Sequence, residues 1–105
     1  MKLPFTVNLR GKTAVITGGG GVLCSCMAKA IAGCGASVAI ADLRAEAADK
    51  VADEVRKEGG KAIGVACNVL ERPSLDAACA RIEKELGPIS ILINGAGGNH
   101  PKGTT

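Results

Sequence analysis

Four glycines in a row, Gly18-Gly19-Gly20-Gly21, interrupt the chain one residue after the apolar run Thr13-Ala14-Val15-Ile16. An apolar pattern with helical spacing resumes at residue 22 and continues to residue 33. Glycine adopts backbone angles that a Cβ forbids and weakens the interior of both helices and strands. Such a run therefore marks an abrupt turn from a strand into a helix. That turn brings unpaired backbone N–H groups and the positive end of a helix dipole to one place, which suits a phosphate.

The rest of the chain repeats the alternation. Apolar strands are expected at 13–17, 37–41, 61–67 and 89–94, and helices at 22–33, 44–58 and 73–86. Gly33-Cys34-Gly35, Gly59-Gly60 and Gly87-Pro88 separate them, and Pro73 suits the first turn of the third helix. Leu23, Met27, Ala30 and Ile31 fall on one face of the first helix; Ala47, Val51 and Val55 share a face of the second. Residues 1–12 read as a lead-in, with Phe5 and Leu9 over a sheet end and a turn at 10–12, and residues 95–105 as a glycine-rich loop. Strands alternating with helices of 10–15 residues give an α/β fold, a doubly wound parallel sheet with right-handed crossovers and strand order 3-2-1-4. No composition shift divides the 105 residues, so a single domain is expected.

Composition agrees and narrows the function. Hydrophobic residues make up 47% of the chain, yet it has one Phe and no Tyr or Trp. The core must be built from Ala, Val, Ile and Leu, as suits a parallel sheet covered on both faces. A net charge of +3, scattered among acidic residues, and the lack of aromatics argue against nucleic acid as a partner. No apolar run approaches the ~18 residues of a membrane span, and the first residues form no signal-peptide core. A cytoplasmic protein without membrane attachment is expected. Five cysteines with a single His and no C-x-x-C pair argue against a metal site or a disulfide framework. They read as reduced, small, buried thiols, and Cys24 and Cys26, at the start of the first helix, as packing residues.

Gly19-x-Gly21-x-x-Cys24 fits the G-x-G-x-x-G/A fingerprint of dinucleotide sites, with Cys in the third place. Asp42 follows at the end of the second strand, 18 residues beyond Cys24, close to the ~20 expected of a ribose-binding carboxylate. It would accept hydrogen bonds from the ribose hydroxyls and repel a 2′-phosphate, which favours NAD over NADP; the nearby Arg44 works the other way. The bland alternatives are a plain tight turn for the glycines and a helix cap for Asp42.

These motifs together resemble the short-chain dehydrogenase/reductase family. The family signature T-G-x-x-x-G-x-G falls on Thr17-Gly18-Gly19-Gly20-Gly21-Val22-Leu23-Cys24, its Asp-Val pair on Asn68-Val69, and its Asn-Asn-Ala-Gly on Asn94-Gly95-Ala96-Gly97. Residues 17–23 and 95–101 are similar to the D-mannonate oxidoreductases (fructuronate reductases) within the family. The resemblance implies a Rossmann fold. It also implies a cofactor site of Gly18, Gly19, Gly20, Gly21, Val22, Leu23, Asp42, Asn68, Val69, Asn94, Gly95, Ala96 and Gly97, with Asn99 and His100 at a pocket for a small sugar acid; by itself His100, the single histidine, reads as a solvent-exposed loop residue. Val22 stands where the family has its second glycine, Cys24 where it has its third, Asn68 where it has Asp, and Gly95 where it has a second Asn.

The family's chemistry needs a Tyr as general acid/base, a Lys four residues later and a Ser. No Tyr occurs in this sequence, so no catalytic residue is assigned. The expectation is the NAD-binding, N-terminal part of a longer oxidoreductase, inactive by itself. A fourth strand with no neighbour beyond it exposes an apolar edge, which favours a homo-oligomer. The alternative from a different class is a dinucleotide-binding sensor or structural module that catalyses nothing.

Overall fold

A computed structural model of the chain describes residues 8–18, 22–68 and 70–94, with backbone alone for 22–24. Phe5 and the 95–105 loop lie outside the described residues. The elements alternate as β1 (Thr13–Thr17), α1 (Val22–Gly33), β2 (Ser37–Asp42), α2 (Ala45–Lys57), β3 (Lys61–Ala66), α3 (Arg72–Leu86) and β4 (Ile91–Asn94). The four strands are parallel and lie in the order β3-β2-β1-β4. Both the doubly wound architecture and the 3-2-1-4 order expected of the sequence are therefore present.

Right-handed crossovers divide the helices between the two faces. The chain passes from β1 through α1 to β2 and through α2 to β3, moving one way along the sheet. It then crosses back through α3 to β4. Ile16, Val38, Ile40 and Ala62 accordingly pack with Ala28 of α1 and with Ala48, Val51, Ala52 and Val55 of α2. Val15, Ala39, Ala41, Val65 and Cys67 pack on the other face with Ala78 and Ile82 of α3. The register that pairs Ile16 with Ile40 and Ile40 with Gly64 lines these residues up across the sheet.

Two helix faces are rotated from the expected ones. On α1 Ala28 is buried and the half-buried Ile31 and Ala32 pack against the core; Ile31 belongs to the expected face, while Met27 and Ala30, also half-buried, stand outside the cluster. On α2, Ala48 and Ala52 join Val51 and Val55 in the core, and Ala47 is half-buried. Element ends also shift. Asp42 is the last residue of β2 and pairs with Ala66. Regular pairing of β4 begins at Ile91, because the Ile89 N–H is turned to the Glu83 carboxylate at 3.4 Å, although the Ser90 N–H already donates to the Thr13 carbonyl at 2.9 Å. Leu9 is half-buried and its N–H donates to the Cys34 carbonyl at 2.7 Å, tying the lead-in to the end of α1.

The buried threonines are both satisfied. Thr13 Oγ1 donates to the Leu86 carbonyl at 3.0 Å and so caps the last turn of α3, while Thr17 points its hydroxyl at β4. The thiols depart from the expectation of burial. Among those whose surroundings are described, Cys67 is buried, Cys34 and Cys79 are half-buried and Cys26 is exposed. Cys26 occupies the solvent-facing side of α1, where its short side chain fills no part of the core. Partial burial pushes the Cys79 thiol up from its ordinary value, and the neighbouring Cys67 adds to that.

Polar contacts brace the α2 side. Lys29 of α1 and Glu54 of α2 form an ion pair at 2.7 Å. That hydrogen bond raises the Lys29 pKa and lowers that of Glu54. Arg56 lies across the margin of β3. Because the Cys67 N–H donates to the Asp42 carbonyl, the backbone groups of alternate β3 residues Lys61, Ile63 and Val65 face β2, and those of Ala62, Gly64 and Ala66 face away. Arg56 Nη1 donates to the outward Ala62 carbonyl at 2.7 Å, and the guanidinium also pairs with Asp53. At the opposite margin β4 pairs with β1 alone among the described residues, and Leu92 is 67% exposed.

Candidate dinucleotide site

Parallel strands deliver all their carboxyl ends to one edge, and the sequence-chosen residues collect there. Thr17 ends β1, Asp42 ends β2, Cys67 and Asn68 follow β3, and Asn94 ends β4. In doubly wound sheets this edge, at the point where strand order reverses, is where nucleotides bind. Here the reversal falls between β1 and β4, because β2 lies on one side of β1 and β4 on the other.

The turn out of β1 begins at Gly18, with φ +70°. That angle is the reason for glycine here. The Gly18 N–H donates to the Ala41 carbonyl at 2.7 Å, extending the β1–β2 ladder by one bond. Gly18 thus shapes the turn, and its amide is committed to the sheet. Helix α1 starts at Val22, at the same edge, with no acidic residue in its first turn. Nothing in that turn offsets the partial positive charge of the helix end, which favours an anion. Gly19, Gly20 and Gly21 lie outside the described residues, as do the side chains of Val22 and Leu23.

Asp42 is half-buried and its Oδ1 accepts the Arg44 N–H at 3.0 Å. The first residue flanking α2 is Arg44, with extended angles and no side-chain cap. Asp42 therefore closes the turn before α2 instead of capping the helix, which replaces the capping alternative. The carboxylate is held at the strand end by a backbone donor.

Asn68 is fixed on three sides. Its N–H donates to Ser74 Oγ at 3.0 Å, its Oδ1 accepts the Leu70 N–H at 3.0 Å, and its carbonyl accepts the Glu71 N–H at 3.0 Å. Thr17 Oγ1 donates to Asn94 Oδ1 at 2.9 Å, tying the ends of β1 and β4 together. Ser74 is a positioning residue that sequence reasoning did not single out, and Thr17 figures there only as the start of the glycine signature. Ser74 stands in the first turn of α3, where hydroxyls commonly meet backbone N–H groups. Val69, Gly95, Ala96, Gly97, Asn99 and His100 lie outside the described residues.

A shallow cleft of about 230 Å³ opens between the carboxyl-terminal ends of α1 and α2, lined by Lys29, Ala32, Gly33, Glu58 and Gly60. Those helices run against the strands, so the cleft lies at the edge of the sheet opposite Asp42 and Asn68. It is too far from them to be part of the same site. Among the described residues no helix is long and apolar enough to cross a membrane.

The family model of short chain dehydrogenases matches residues 12–105. The chain belongs to the short-chain dehydrogenase family. An uncharacterized oxidoreductase of Haemophilus influenzae is 50% identical over 105 residues, covering all of this chain and 37% of the relative. An uncharacterized oxidoreductase of Bacillus subtilis, UxuB, is 50% identical over 103 residues, covering 98% of this chain and 37% of its own length. A solved Haemophilus structure with bound NAD, provisionally named a D-mannonate oxidoreductase, superimposes with a TM-score of 0.86 at 52% identity. That match covers 94% of this chain and 35% of the neighbour. The chain thus spans little more than a third of the relatives it matches.

Proposed function

We propose that this chain is the dinucleotide-binding portion of an NAD-dependent short-chain oxidoreductase acting on a sugar acid of the D-mannonate or fructuronate kind. The observation that carries the reading is Asp42. A carboxylate held by the Arg44 amide stands at the end of β2, one strand from the glycine turn and on the adenosine side of the switch point. It is placed to accept both ribose hydroxyls and to oppose a 2′-phosphate, so NAD is preferred over NADP. The sugar-acid assignment draws on the Haemophilus neighbour's name and on the likeness of residues 17–23 and 95–101 to that group. When bound, the nicotinamide gives or takes the hydride. This chain's part is to anchor the dinucleotide: the α1 start faces the pyrophosphate, Asp42 the ribose and Asn68 the base. Gly18 to Gly21, Val22, Leu23, Val69 and Asn94 to Gly97 line the cofactor, and Asn99 and His100 border the substrate.

Calorimetric titration with NAD and NADP tests this. A hydrogen bond to a charged group contributes about 1.5–3 kcal/mol, so Asp42→Ala is expected to weaken NAD roughly 10- to 150-fold. NADP should weaken far less, narrowing the preference. Equal losses for both cofactors, or none, would reject the assignment.

The chain alone is expected to be inactive, since it has no Tyr to serve as the family's general acid/base. Oxidation of NADH by fructuronate at a measurable rate on residues 1–105 would contradict that. The apolar margin at β4, with Leu92 exposed, favours homo-oligomers, and the absence of a spanning helix among the described residues accords with a cytoplasmic location.

A further inference from the structure

We infer that the Asn94-Gly95 linkage modifies itself: the Asn94 side-chain amide closes onto the Gly95 nitrogen as a succinimide and opens to aspartate or isoaspartate, with the Thr17 hydroxyl holding the oxygen that becomes charged. The inference goes beyond the dinucleotide reading and holds whether or not a nucleotide binds.

The sequence supplies the first condition. Ring closure requires the backbone nitrogen of the next residue to reach the Asn Cγ, and a side chain on that residue obstructs the approach. The chain has four asparagines, Asn8, Asn68, Asn94 and Asn99, followed by Leu, Val, Gly and His. Asn94 alone precedes a glycine, whose lack of a Cβ removes the obstruction and widens the range of backbone angles. The pair exists because Gly95 stands where the family has a second Asn.

The fold supplies the second condition. Thr17 and Asn94 are the last pair of the β1–β4 ladder. Both side chains lie on the α3 face of the sheet, the face of Val15 and its partner Leu92. The Thr17 hydroxyl has one proton, and Asn94 Oδ1 at 2.9 Å takes it in preference to the Ile93 carbonyl at 3.4 Å. When a nitrogen attacks Cγ, charge collects on Oδ1, and a donor already in place stabilises it. Asn8 and Asn68 are held differently. Their Oδ1 atoms accept the N–H groups of Arg10 and Leu70, two residues on, each at 3.0 Å. Bringing the next nitrogen onto Cγ rotates everything after the Asn about its Cα–C bond. At Asn8 and Asn68 that rotation carries the donor away; at Asn94 the donor stays on β1. Asn94 is also the last residue of β4, so the rotation breaks no strand pairing among the described residues. Asn94 and Leu92 are both exposed, so water reaches the ring.

The step balances without a redox partner. The Gly95 nitrogen loses its proton and bonds to Asn94 Cγ; the Cγ–Nδ2 bond breaks, and Nδ2 leaves with that proton as ammonia. Water then adds to either imide carbonyl. Opening one way gives aspartate, and opening the other gives isoaspartate, whose main chain runs through the former side chain. Either product adds a negative charge where strand order reverses, and isoaspartate also lengthens the main chain at the strand end by a methylene.

The test is incubation of the chain in mildly alkaline buffer, followed by digestion and mass spectrometry with the aspartate and isoaspartate peptides separated. Conversion is expected at Asn94, faster than at Asn8 and Asn68 in the same digest. It should quicken as pH rises, because attack needs the deprotonated nitrogen. Gly95→Ala should slow it. Thr17→Val, which removes the hydroxyl and keeps the shape, should slow it roughly two- to tenfold. Thr17→Ser should keep the native rate. In urea, with the strands apart, the native chain and Thr17→Val should convert alike. Equal or faster conversion of Thr17→Val, its fold checked by a circular-dichroism melt, would overturn the inference, as would a Thr17→Val effect that persists in urea. Conversion at Asn94 no faster than at Asn68 would overturn it too, and that comparison needs no variant.

Discussion

Ile40→Ala is expected to lower the stability of the chain by about 2–5 kcal/mol, the range for removing a large aliphatic side chain from a closed core. Ile40 is fully buried. It occupies β2, which has a strand on either side, and it sits between Ile16 and Gly64 in register, beneath α1 and α2. The surrounding residues are mostly Ala and Val on rigid elements, and none of them can extend to fill the space. A domain of 105 residues has a total stability of roughly 5–15 kcal/mol, so this single truncation removes a large share. At several degrees per kcal/mol, the melting midpoint should fall by about 10 °C or more. A urea or thermal melt that moves by less than about 1 kcal/mol would show that the α1/α2 layer is not closed over β2 as described.

Gly64→Ala should also destabilise, for the opposite reason. A Cβ on Gly64 would lie 2.8 Å from the Ala48 carbonyl carbon and the Asp49 nitrogen, and 2.5 Å from Asp49 Oδ1. Two of these atoms belong to the backbone of α2, which cannot swing aside as a side chain can. Overpacking of this kind costs about 1–3 kcal/mol. Against it stands the usual gain of roughly 0.5–1 kcal/mol on replacing glycine inside a strand. The clash should prevail, with a net loss of about 1–2 kcal/mol. Gly33, at the end of α1, serves as the control: nothing lies within 4 Å of a Cβ there. Gly33→Ala should be neutral or stabilising in the same melt. If both substitutions shift the midpoint equally, the close approach of α2 to β3 is not real.

The sequence made the architecture readable because its glycines fall between apolar runs of the right length. Gly33-Cys34-Gly35 and Gly59-Gly60 close helices, and the runs ending at Thr17, Asp42 and Asn94 are too short and too continuously apolar for helices and read as strands, buried at β1 and β2 and half-exposed at β4. The rotation of the helix faces was less readable. Alanines occupy both sides of α1 (Ala28, Ala30, Ala32) and of α2 (Ala47, Ala48, Ala52), and a small apolar residue packs or faces water with little difference in free energy. The phase of the pattern therefore shifts by one residue without penalty in the sequence alone.

At the site, the residues that gather at the carboxyl edge were legible through motif spacing, since parallel strands bring their ends together whatever their length. The state of each group was not. That the Gly18 amide belongs to the sheet, that Asp42 is braced by the next turn, and that the Asn68 oxygen is already occupied all depend on hydrogen bonds between residues whose relation appears only once the loops are folded. Motif spacing identifies which residues gather at this edge, and loop geometry decides how each of their polar groups is held.

The guanidinium that Arg56 lays over Ala62 makes the two flanks of the sheet unequal. A strand approaching β3 would first have to displace a charged group already bound to the carbonyl it needs, whereas Ile91–Asn94, unpaired on its far side among the described residues, has no charged side chain of its own. Growth of the sheet is therefore one-sided, and any additional strand, from a longer polypeptide or from another molecule, is directed to the flank where strand order reverses. The switch point of the sheet and the margin where it can be extended thus share one side of the molecule.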